Sequence, residues 1–118
     1  MCGLAGFLTK TSLKSNSEDL LRKMGRSLVH RGPDDDGVWM DPAAGVGLAH
    51  QRLSVIDLSS EGRQPMISAS GRYVITYNGE IYNFLELRKN LDQTEDSHWR
   101  GHSDTEVILA SIEKWGLP

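Results

Sequence analysis

Apolar and polar positions alternate along this chain in short blocks. The opening run Gly3-Leu4-Ala5-Gly6-Phe7-Leu8 is apolar and glycine-rich, which predicts a buried strand approached closely by another backbone or a ligand. Polar residues from Thr9 to Ser17 lead into a helix, because Ser15 and Glu18 have capping-box spacing and Leu20, Met24 and Leu28 recur at i, i+4 and i+8. Gly25 weakens that helix without breaking it. Residues 30–37 (HRGPDDDG) are turn chemistry, separating the helix from two predicted strands over 38–41 and 46–50, with Pro42 and Gly45 marking a hairpin between them. Residues 52–57 read as a further strand or strand end, followed by a polar loop to Pro65. Residues 72–77 have the β-branched and aromatic content of a central strand ending at Asn78-Gly79. Ile81, Phe84, Leu85, Leu87 and Leu91 predict a short helix over 81–91, and 92–101 reads as a charged loop. A last helix starts at a second capping box, Ser103 with Glu106. Ile108, Ile112 and Trp115 share a face, and Gly116 and Pro118 stop it.

Strands that come in hairpins, without a helix after each, define an α+β class with antiparallel sheet. With 118 residues the chain makes one compact domain at most, or a piece of a larger one, and 38% hydrophobic residues bury only a modest core. So few strands leave sheet faces uncovered, and we expect a truncated domain. A net charge of −3 lacks the basic field that neutralises a phosphate backbone, so nucleic acid is not an expected partner. A single cysteine forms no internal disulfide, and no Asn-x-Ser/Thr site, signal peptide or membrane-length apolar run is visible. We therefore expect a cytoplasmic protein with no membrane partner.

That cysteine is at position 2, where loss of the initiator Met1 frees an α-amine beside a thiol. An ordinary α-amine titrates at about 7.8 and an ordinary thiol at about 8.5, so the amine is able to take the thiol proton and one residue supplies nucleophile and base. The alternative is an incidental cysteine in a buried strand. Asn78-Gly79 pairs a side-chain amide with a backbone N–H, two donors for an oxyanion, although Asn-Gly is also a common hairpin turn. Glu80 then adds a carboxylate where a cationic amine could dock. Arg52 offers a guanidinium fork for a carboxylate, or an ordinary surface salt bridge. Asp104 either complements the last helix's dipole or shares a ligand ammonium. No metal is expected: aligning Gly37 with the glycine of a calcium loop puts Gly32 and Ala43 at ligand positions, and His30, His50, His98 and His102 lack zinc-site spacing. Gly3 and Gly6 make no dinucleotide fingerprint. Trp39, Trp99 and Trp115 read as core or loop anchors.

The segments MCGLAG (1–6), HRGPD (30–34), HQRLSVID (50–57), QPM (64–66), YNGEIYN (77–83) and SDTEVI (103–108), in this order, resemble the glutaminase domain of the glutamine-hydrolysing asparagine synthetases, class II glutamine amidotransferases. The resemblance covers nearly the whole chain, as one domain over 1–118. It implies an N-terminal-nucleophile fold, a four-layer αββα sandwich incomplete at the C-terminus, and hydrolysis of glutamine to glutamate and ammonia for ATP-dependent amidation of aspartate. By the same resemblance Cys2 is the nucleophile, and Asn78 and the Gly79 N–H form the oxyanion hole. Arg52 grips the glutamine α-carboxylate, Glu80 and Asp104 hold its α-amine, and Leu53, Ser54, Val55 and Ile56 line the pocket. The family's synthetase domain, with its ATP and magnesium, is absent from these residues and would be the partner of a full-length form, itself a homodimer in one expected arrangement. No cofactor is expected here. Trp99-Arg100-Gly101-His102 also resembles homologues from surface-polysaccharide gene sets, which leaves aspartate as one of two acceptor readings. A non-catalytic chain that binds a partner through its uncovered sheet is the rival.

Overall fold

The computed structural model describes residues 1–93 and 98–117. Strand β1, Gly3–Leu8, pairs antiparallel with β3, Val46–Arg52, and β3 pairs on its other side with β2, Asp35–Asp41, giving the order β1-β3-β2. The β2–β3 hairpin turns where Pro42 and Gly45 predict it, with Asp41 Oδ1 accepting the Ala44 N–H at 3.0 Å. Strand β2 starts earlier than predicted, at Asp35 rather than Val38. The Asp34 N–H donates to the Arg52 carbonyl, and Arg63 donates to both Asp35 carboxylate oxygens at 2.8 Å, so the acidic run is held in the ladder. A second sheet is a short hairpin of β4, Met66–Ile67, and β5, Val74–Ile75.

Helix α1, Ser17–Arg26, packs on β1 and β3. Its N-terminus is capped at Asn16 without a side-chain hydrogen bond, so the predicted Ser15–Glu18 box does not form; Glu18 pairs instead with Arg22 one turn on. The buried residues are Leu21 and Gly25, whereas Leu20 is 53% exposed. A Cβ on Gly25 would lie 3.4 Å from that of Ala49, so the helix seats on the sheet along the glycine, and Leu21, one turn earlier, shares that face. The other face carries Leu4 and Leu8, exposed at 45% and 77%.

The predicted strand over 52–57 is corrected. Strand β3 ends at Arg52, whose guanidinium bends round to the Ser59 carbonyl at 2.6 Å and the Asp57 carbonyl. The predicted strand over 72–77 shrinks to Val74–Ile75, because the Tyr77 N–H donates to Gln64 Oε1 at 2.6 Å rather than to a neighbouring strand. Helix α2, Phe84–Asp92, begins later than predicted, since the Ile81 N–H is held by Asp104 Oδ2. Helix α3, Asp104–Trp115, packs on α2 and β4. Ser103 caps it as predicted, accepting from the Glu106 N–H, but Glu106 turns its carboxylate to the N–H groups of Arg100 and Gly101 rather than closing the box. Burial on α3 gathers in its first turn and on Val107 and Leu109. Ile108 and Ile112 are half-buried and Trp115 is 58% exposed, so the predicted Ile108–Ile112–Trp115 face is not the core face and Trp115 is no core anchor. Trp99 is a loop anchor: its indole N–H donates to Asp92 and Arg88 lies over its ring. Gly116 ends the helix. The middle of the predicted charged loop, 94–97, and the stop at Pro118 lie outside the described residues. Among those described, no helix is long and apolar enough to cross a membrane.

Buried in β3, His50 reaches the segment that follows β5, with Nε2 at 3.2 Å from the Tyr77 carbonyl. That carbonyl only accepts, so Nε2 carries the proton. Burial pushes the imidazole below its ordinary 6.5, outweighing the Tyr77 hydrogen bond, which favours the charged form. In the unfolded chain it protonates near 6.5, so below that pH the unfolded state binds more protons and the fold loses stability; above it the contribution is complete. We expect urea-unfolding free energies to fall by up to about 1.4 kcal/mol per pH unit just below that value, and His50→Gln to flatten the slope.

Candidate active site

Two loops and a helix end meet the start of β1 around a cleft of about 440 Å³. Cys2, just before β1, is half-buried at its edge, its sulfur set against the Leu53 backbone: the Leu53 N–H donates to Sγ at 3.2 Å, and the thiol faces the Leu53 carbonyl at 3.5 Å. Sequence separation therefore says nothing about distance here, because the β1–β3 register, extended by one residue, brings residue 2 opposite residue 52 and next to residue 53. Met1 also lines the cleft, so while it is attached the Cys2 nitrogen is an amide and holds no free base.

Arg52, Leu53, Val55, Ile56, Asn78, Gly79, Glu80 and Asp104 share this lining with Cys2. Ser54 does not; its N–H is tied to Asp34 Oδ2 at 2.8 Å. Arg52 is not a surface ion-pair residue: it is only 7% exposed, and the partners it shows are the Asp57 and Ser59 carbonyls. Both carbonyls accept from the guanidinium without neutralising it, and although the Asp57 and Asp35 carboxyls feel its charge, no carboxylate hydrogen-bonds it directly, so it can still present N–H donors to a ligand anion. Asn78-Gly79 is not a type I′ hairpin turn, which requires positive φ at both residues: neither Asn78 nor Gly79 is among the described residues with positive φ. The pair instead connects β5 to α2 along the cleft wall.

Asp104, which lines the same cleft, is 6% exposed at the first turn of α3. One of its oxygens accepts the Ile81 N–H at 2.8 Å, which sets Glu80 beside it. The helix end supports the carboxylate, but a capping role alone does not explain why it lines a cleft with a second acid. The cleft thus brings together a guanidinium, two carboxyl groups and a thiol.

Three further residues build the site, each standing inside a recognised motif but without an assigned role. Tyr77 lines it, and its phenol is pushed above the ordinary tyrosine value, first by burial and then by Asp104 and Glu80. Gln64 bridges the walls, donating from Nε2 to Thr105 Oγ1 at 3.1 Å while accepting from Tyr77. Asp57 is buried: burial raises its carboxyl, but hydrogen bonds from the Ser59 hydroxyl, the His102 N–H and the Ser59 N–H, with Arg52 nearby, hold it below the ordinary carboxylate range. Asp-x-Ser is an Asx-turn pattern, and Asp57-Leu58-Ser59 was the available signal.

The whole chain, residues 1–118, matches the family model of the glutamine amidotransferase domain. It is 42% identical, over 98% of its length, to asparagine synthetase [glutamine-hydrolyzing] 1 of Bacillus subtilis (strain 168), and 37% identical, over 99%, to asparagine synthetase [glutamine-hydrolyzing] 2 of the same organism. It is also 33% identical, over 99%, to the amidase chry2 of Gibberella zeae. The chain spans only 18%, 15% and 18% of those relatives' lengths, respectively. Matched from end to end by that model and aligned along nearly its full length with two asparagine synthetases, the chain belongs to the glutamine amidotransferase domain family.

Proposed function

We propose that this domain hydrolyses glutamine to glutamate and ammonia, with Cys2 as nucleophile, for use by an ATP-dependent amidation of aspartate in a longer, cytoplasmic asparagine-synthetase-type enzyme. The observation that carries the reading is the cleft that sets the Cys2 thiol, the Arg52 guanidinium and the Asp104 and Glu80 carboxylates around one volume. Free glutamine bears a carboxylate and an ammonium on one carbon and an amide at the far end. Arg52 complements the first, Glu80 and Asp104 the second, and Cys2 meets the third.

Once Met1 is gone, the α-amine of Cys2 takes the thiol proton as sulfur bonds to the amide carbon. The oxyanion that forms is met by the Asn78 amide and the Gly79 N–H, each worth on the order of 3 kcal/mol in the transition state. Collapse breaks the carbon–nitrogen bond, the ammonium returns its proton to the leaving ammonia, and a thioester remains. Water, deprotonated by the same amine, releases glutamate and restores the thiol. The same reading makes these residues part of a four-layer αββα sandwich, a proposal supported by the stacking of α1 on one sheet and of α3 against the other. ATP and magnesium belong to the synthetase part, and no residue of this chain is assigned to them.

The test is intact-mass analysis of the chain, with and without Met1, after reaction with a diazoketone analogue of glutamine. The expected result is one adduct on Cys2 in the Met1-free form, blocked by excess glutamine. No adduct would overturn the reading and favour a binding module using the exposed Leu4–Leu8 sheet face.

A further inference from the structure

Arg52 and Asp104 come from different parts of the chain, and neither touches the other in any hydrogen bond. Asp57 links the segments that carry them. Its carbonyl and that of Ser59 accept from the Arg52 guanidinium. Its own carboxylate closes that loop on one side, Oδ1 accepting the Ser59 N–H at 2.8 Å and the Ser59 hydroxyl at 2.6 Å. On the other side Oδ2 accepts the His102 N–H at 2.7 Å, two residues before Asp104.

Space is made for this link. A Cβ on Gly101 would lie 2.6 Å from Asp57 Oδ2, and one on Gly62 would lie 2.2 Å from Arg52 Nη2. The His102 segment is itself rigid, because Glu106 holds the N–H groups of Arg100 and Gly101 and Ser103 caps α3. A connected path therefore runs from Arg52 through Asp57 and His102 to Asp104, and on through the Ile81 N–H to Glu80. Every acceptor along it is a carbonyl or a carboxyl oxygen.

We propose that Asp57 is the positioning residue that fixes the separation between Arg52 and Asp104, and thereby makes the cleft select ligands with carboxylate and ammonium on one carbon. This rests on the reading of the cleft as a glutamine pocket. Asp57 also lines the cleft, and its assigned effect runs through the backbone of both walls, which its carboxylate and carbonyl hold. Asn at this position keeps the shape, but its NH₂ faces either Ser59 or His102, both donors, so one wall is released.

The experiment is the kinetics of Cys2 capture by the diazoketone analogue in the Met1-free chain, residues 2–118, with iodoacetamide as a probe lacking the amino-acid head. For Asp57→Asn the half-saturating concentration of the analogue should rise about tenfold, with its maximal rate and the iodoacetamide rate unchanged. Protection by glutamine should lose its advantage over protection by the analogue of glutamine without its α-amine. Ser59→Ala, at an exposed position and removing one donor, should move the same quantity two- to threefold, a fraction of a hydrogen bond's net worth, roughly. Unchanged saturation in both variants would overturn the proposal, as would a parallel fall in the iodoacetamide rate, which marks general loosening. A parent chain that captures no analogue fails at the earlier step and overturns the glutamine reading itself.

Discussion

Arg52→Ala is expected to lower capture of the glutamine analogue at Cys2 by about a hundred- to a thousandfold, from the roughly 3–4 kcal/mol that a buried, charge-assisted contact is worth when one partner is deleted. Two consequences add. The ligand carboxylate loses its counter-charge beside a position only 7% exposed, where screening is weaker than at the open surface. The carbonyls of Asp57 and Ser59 lose their donor at the same time, and the loop they belong to loosens. Arg52→Lys separates the two effects: an ammonium keeps the charge but not the planar fork that serves two carbonyls and a ligand together. It should recover part of the binding and little of the loop order. Saturation curves for the analogue, read beside iodoacetamide rates at Cys2, check both variants; capture within threefold of the parent would remove Arg52 from the site.

Gly32→Ala is expected to cost about 3 kcal/mol of folding stability or more, at the upper end for overpacking. A Cβ there would stand 2.3 Å from the Gln51 carbonyl oxygen and 2.6 Å from the Arg52 carbonyl carbon. Both are backbone atoms of β3, with no rotamer to move aside, so relief requires shifting the strand that also pairs with β1 and β2. Chemical denaturation of parent and variant measures the loss, and a change below about 1 kcal/mol would mean that the loop yields instead of the strand.

The local elements written in runs of side-chain pattern were legible. Strand β1 and the β2–β3 hairpin follow from glycine-rich, β-branched and turn residues, and Ser103 announces α3. The residues drawn into the cleft were legible as an ordered set of short motifs, although each alone had an ordinary explanation. What escaped was decided by contacts between distant segments. Leu21 rather than Leu20 faces the sheet because Gly25 lets the helix down onto Ala49. The strand near Tyr77 is short, and α2 starts late, because Gln64 and Asp104 side chains take backbone N–H groups that a propensity count assigns to strand or helix. Asp57 sat inside a recognised motif, yet its reach to His102 is a three-dimensional fact with no one-dimensional trace.

The pairing of residue 3 with residue 51, and the closing of the cleft by the first turn of α3, also set an order of events. Loops of this length close late, since their entropy is spent before their contacts repay it. During synthesis from the N-terminus, Cys2 emerges first while the acid that completes its cleft emerges near residue 104. The cysteine is thus made long before its surroundings, and its selectivity for an amino-acid ligand begins only when α3 has docked.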